Sequence, residues 1–185
     1  MITVAPETFT MVDYDAGRIA ELAAEALRGV DGLDDEENVE LDVNEHEATS
    51  RIAVTSVDPI ALAVDGGAIE QYKEPRELGE LETLIVCTRL FLEVVDRRNP
   101  DFGAPDLDAE TTMAHKQAWD VNLYGRVGRL GLRLHQPRFR YNFRNRHGFS
   151  DNADRIFDQL WSTDGLDWDA IVELSDQATD IVQRP

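Results

Sequence analysis

Between Tyr124 and His147 the chain carries seven arginines and not one carboxylate. Guanidinium groups hold carboxylates and phosphates through paired, charge-assisted hydrogen bonds, so the chemistry such a cluster suggests is the binding of anions. His115, Asn122, Arg126, Arg129 and Arg133 are separated by seven, four, three and four residues, the spacing of one helical face. From Arg126 to Arg133 such a face runs about 10 Å, which suits a ligand with several anionic oxygens or a row of carboxylates. Gly125, Gly128 and Gly131 recur every three residues on the neighbouring strip, where close packing of another helix, or backbone access for a ligand, would compensate their helix cost of about 1 kcal/mol each.

The next stretch interleaves Arg138, Arg140, Arg144 and Arg146 with Phe139, Tyr141 and Phe143. Basic residues alternating with aromatic ones are what single-stranded nucleic-acid platforms use. A structural reading competes with it: the aromatics fill a core, and the arginines pair with the acidic N-terminal part of the chain. Residues 1–75 hold 18 acids against 4 bases, and the whole chain of 185 residues carries a formal charge of −19. That charge repels nucleic acid and anionic membranes at long range and disfavours a general polyanion binder.

Recognisable catalytic motifs are absent. His46-Glu47 begins like a zinc-protease box, but the second histidine four residues on is missing. A metal assembled from His46 with Glu40 or Asp42, together with His115 or Asp120, would make a metal-dependent hydrolase the alternative reading. No local spacing demands a metal, and no cofactor is expected. His147 precedes a helix start, where backbone N–H groups and an arginine could hold an anion. Cys87 lies in an apolar run and reads as core, as do Trp119, Trp161 and Trp168, with Trp119 near enough to the stripe to wall a pocket. A single cysteine rules out a disulfide scaffold.

The elements that would position these groups follow from periodicity. Residues 16–27 repeat apolar positions at helical spacing behind Asp13 and Asp15, and Gly29 ends the helix. Residues 39–46, 52–54 and 60–64 alternate in period two, with Asp58-Pro59 as a turn, and residues 68–72 offer a fourth strand after Asp65-Gly66-Gly67. Together these predict an antiparallel meander, whose small Ala53, Ala61 and Ala63 permit close approach of another layer. A broad apolar stripe from Leu78 to Val95 predicts a central helix. A long helix is expected from about 108 to 135, ended by Pro137, and Arg138–Arg144 is expected to be extended. Ser150 or Asp151 caps a helix through Trp161, and Asp167 starts a last one with Ile171, Leu174, Ala178 and Ile181 inward.

The expectation is a single α+β domain over residues 1–185, with a small antiparallel sheet of three or four strands and about five helices. With 42% hydrophobic residues the chain can fill a core, and it lacks a leader-like N-terminus and any long apolar run. A cytoplasmic protein is expected, without membrane association. Its function is expected to be non-catalytic binding, with catalysis left open. The ligand-binding residues would be Arg126, Arg129, Arg133, Arg140, His115, Asn122, Tyr141 and His147. The partner would be a small anionic ligand or an acidic protein surface, not nucleic acid, and self-association into a homo-oligomer is compatible with the sequence.

Overall fold

A computed structural model describes residues 1–179 of the chain. They form two compact units, residues 1–98 and residues 99 onward. The class is α+β and helix-rich, with four strands and six helices among the described residues.

In the first unit the elements are β1 (Ile2–Ala5), α1 (Ala16–Arg28), β2 (Val39–Asn44), β3 (Ile52–Val57), β4 (Ile60–Asp65) and α2 (Glu80–Arg98). Asp15 caps α1 by accepting from the Arg18 N–H, and Gly29 closes it. The expected strands at 39, 52 and 60 are present, but the sheet is mixed rather than an antiparallel meander. Its order is β1-β2-β4-β3, with β1–β2 and β2–β4 parallel and only β3–β4 antiparallel. Period-two alternation reports which face of a strand is buried and says nothing of its direction, so this pairing was invisible to it. β1 escaped because four residues are too few to show a period. The expected fourth strand at 68–72 is a 3-10 turn, Gly66–Ala68, followed by a single bridge between Glu70 and Leu78.

One sheet face is apolar. Val4, Val39, Leu41, Val43, Val54, Ile60, Leu62 and Val64 are buried there, and α1 and α2 pack against each other and against the edge strands β1 and β3. The opposite face presents Thr3, Glu40, Asp42, Asn44, Ala53 and Thr55 to solvent, with Ala61 and Ala63 half-buried.

The second unit contains α3 (Met113–Arg129), α4 (Gln136–His147), α5 (Asp151–Ser162) and α6 (Trp168–Thr179). Three expectations change here. The long helix starts only at Thr112, whose hydroxyl accepts from the His115 N–H, and stops at Arg129, so Arg133 lies in the following loop. Residues 138–144 are helical, not extended. Pro137 opens α4 in its first turn instead of merely ending what precedes it, because a helix's first N–H groups have no intrahelical acceptor and proline loses nothing there. Alternation of arginine and aromatic residues mimicked a strand, yet Phe139, Phe143 and His147 fall at i, i+4 and i+8 and turn one helical face inward. The Ser150 side chain caps α5 and the Asp167 side chain caps α6. Ile181 lies outside the described residues. No helix of the described residues is long and apolar enough to cross a membrane.

Candidate functional site

The site is built on α3 and α4, and α5 decides most of its electrostatics. His115, Asn122 and Arg129 do share a face of α3, and that face packs on protein. The Asn122 side-chain amide donates to the carbonyls of Leu160 and Thr163, at 3.0 and 2.9 Å, satisfying the exposed end of α5. Arg129 donates from Nε and Nη2 to one Asp164 oxygen, at 3.0 and 2.6 Å, and also to the Trp161 carbonyl. Cationic groups at a helix C-terminus complement its dipole, so Arg129 caps α5 electrostatically. Gly125 explains how α3 comes so near. A Cβ on it would sit 2.1 Å from the Trp161 carbonyl oxygen, so of the two readings of the glycine strip close helix packing holds at this position. Arg126 is half-buried in the last turn of α3.

On α4, Arg140 and Arg144 turn toward α5. Arg144 Nε donates to Asp154 at 2.7 Å, and Arg140 reaches the Asp158 carboxylate and the Asp154 carbonyl while its guanidinium stands 4.4 Å above the Phe157 ring. The Arg144 hydrogen bond, with the charges of Arg144 and Arg140 behind it, holds the Asp154 carboxyl below its ordinary range. The carboxylates that meet Arg129, Arg140 and Arg144 come from α5 and the turn after it.

His147 is buried and stacked on Phe143 at 3.8 Å between ring centres. Its Nδ1 lies 3.1 Å from the Phe143 carbonyl, which can only accept, so Nδ1 carries the proton and Nε2 accepts from the Ser175 hydroxyl at 2.8 Å. Desolvation lowers the imidazole pKa and keeps it neutral. A serine beside a neutral histidine is the geometry of an activated nucleophile, but Ser175 is completely buried and no substrate atom can reach it. The pair joins α4 to α6. One residue on, Asp176 accepts from His115 Nε2 at 2.8 Å, tying α3 to the same helix.

What remains open to solvent is the other side of α4. Arg138, Asn142 and Arg146 form one stripe at i, i+4 and i+8, Tyr141 and Asn145 form the next, and all five are exposed. Arg133, Arg138 and Arg146 have no ion-pair partner among the described residues. The candidate residues other than Arg126 are thus sorted into four places. Asn122 and Arg129 meet the end of α5, Arg140 meets its middle, and His115 and His147 meet α6, while Tyr141 and Arg133 face water.

The remaining candidates settle simply. His46 is exposed in the turn after β2, its N–H donating to the Asn44 side chain at 3.2 Å. Among the described residues no three histidine, cysteine or acidic side chains converge on a common point. Burial pushes the Cys87 thiol up to about 12, so it is no nucleophile at neutral pH. Trp119 is buried, 5.5 Å from Phe102 and from Trp168. Sequence reasoning passed over one charged group: Arg89 and Glu93 are buried on α2 and paired, with Arg97 Nη2 2.7 Å from Glu93. Their signal was the i, i+4, i+8 series Arg89, Glu93, Arg97, hidden within an apolar stripe. No protein-family model, no curated protein and no solved structure matches this chain.

Proposed function

We propose that this is a non-catalytic binding protein whose C-terminal unit receives acidic ligands on the solvent face of α4. The observation that carries the reading is the exposure of Arg138 and Arg146 without an ion-pair partner among the described residues, in a chain where acids outnumber basic residues by 37 to 18. Acidic side chains of α5 take up Arg140 and Arg144 from the same helix, so the sorting follows position on the helix, not a shortage of carboxylates. Of the two partners compatible with the arginine cluster, an acidic protein segment fits better than a small metabolite. Arg138 and Arg146 stand about 12 Å apart along an open helix face, close to the roughly 13 Å between alternate-but-one side chains of an extended segment. Arg129 and Arg140 belong to the scaffold that holds this face in place, and Arg133 extends its charge.

The test is titration of a fluorescently labelled glutamate-rich peptide followed by anisotropy. The peptide binds saturably at low ionic strength, and the double substitution Arg138→Glu and Arg146→Glu weakens it at least tenfold with the melting temperature unchanged. Equal binding by the double variant, or no binding by the unsubstituted protein, refutes the reading.

A further inference from the structure

Two large aromatic side chains stand on this basic face where a folded chain gains little from them. Tyr141 is 58% exposed and Phe149 66% exposed, and their rings meet edge-to-face at 5.9 Å. Phe149 is the residue before the Ser150 cap of α5. An apolar side chain at that position ordinarily packs on the fourth residue of the helix, but here that residue is Asp154, whose carboxylate serves Arg144. Phe149 accordingly has no staple partner. It turns back onto α4, because Gly148, with φ +96°, reverses the chain between the two helices. There the Arg144 guanidinium stands 5.9 Å from its ring centre, so Phe149 is held between a tyrosine edge and a cation. Arg144 is itself fixed by Asp154, so the arrangement is organised before any ligand arrives.

Resting on the reading that α4 accepts an acidic segment, we infer that Tyr141 and Phe149 form its specificity centre: the partner is an acidic peptide segment carrying an aromatic side chain between two carboxylates. Charge complementarity selects the occupant. The face bears arginine and asparagine and no acid, and the chain's formal charge of −19 penalises a polyanion such as nucleic acid far more than a short segment with two or three carboxylates. Spacing sets the pattern. In an extended peptide, residues i, i+2 and i+4 point the same way, and the outer two lie about 13 Å apart. That matches the roughly 12 Å rise from Arg138 to Arg146, with Tyr141 one turn from Arg138 on the flank. Tyrosine and arginine together are also the residue types that concentrate binding energy at interfaces.

The experiment compares three labelled probes on the full chain. One peptide contains Glu-Ser-Phe-Ser-Glu, the second contains Glu-Ser-Ser-Ser-Glu in the same flanks, and the third probe is a single-stranded uridine oligonucleotide of equal charge. The inference expects the phenylalanine peptide to bind about tenfold more tightly than the serine peptide. Tyr141→Ala or Phe149→Ala should erase that advantage while leaving the serine peptide and the melting temperature unaffected. Equal affinity of the two peptides overturns the aromatic specificity and leaves the acid-binding reading standing. Failure of both peptides to bind overturns both, and tighter binding of the oligonucleotide overturns the choice of partner.

Discussion

His147 shows what burial does to a single side chain in this protein. Desolvation first, and the charge of His115 after it, depress its pKa, while the bond to the Phe143 carbonyl and the charge of Asp176 work the other way. A folded-state value below the ordinary 6.5 means that the unfolded chain binds the proton more readily. The contribution to stability is therefore complete above about pH 6.5 and is lost as pH falls through that value toward the folded-state pKa. Thermal unfolding between pH 7.5 and 5.5 should show the melting temperature falling on the acid side, and His147→Phe should flatten that slope. Asp154 acts in the same direction at lower pH: its depressed pKa adds stability that disappears only as the carboxylate protonates. Ser175→Ala removes the proton donor from a buried imidazole nitrogen and should cost about 1–3 kcal/mol in denaturant titration. A cost near zero would mean that Nε2 finds another donor.

At the scale of elements, the α3–α5 contact turns on one missing methyl group. Gly125→Ala would drive a Cβ into the backbone carbonyl of Trp161, which cannot move without shifting α5, so a loss of about 1–3 kcal/mol or more is expected. Gly128, one turn on, meets only the ends of the Leu134 and Trp161 side chains, at 3.7 and 3.9 Å. Gly128→Ala should therefore stabilise the protein by about 0.5–1 kcal/mol through helix propensity alone, and chemical denaturation of the two variants checks the opposite signs. These helices also show what was legible beforehand. α1 and α5 could be read because a cap, an apolar period and a terminating residue agree in each, and the start of α6 because a cap and an apolar period do. α4 could not, since its aromatic and basic residues satisfy period two over 138–144 and helical period over 139–147, and only tertiary contact with α5 decides between them. The same ambiguity hid the site's division. Spacing placed His115, Asn122 and Arg129 on one face correctly but could not tell that α5 and α6 occupy it. Nor could it tell that Tyr141 and Phe149, eight residues apart, meet across a glycine turn.

Over the whole molecule, a formal charge of −19 opposes compaction, and the paired arginines of α3 and α4 relieve it only locally. Sodium chloride should raise the melting temperature progressively as self-repulsion is screened, while peptide binding on α4 weakens over the same range. A melting temperature that falls with salt would mean that ion pairs outweigh repulsion. The proposed function rests on a division of the arginines into a set that faces α5 and a set that faces solvent. Amide chemical-shift mapping during titration with the glutamate-rich peptide tests it most directly. Perturbations should cluster at residues 138–149, on the exposed side of α4, and leave Arg129, Asp158 and Asp164 in place. Shifts centred on the α3–α5 contact, or scattered without a centre, would contradict it.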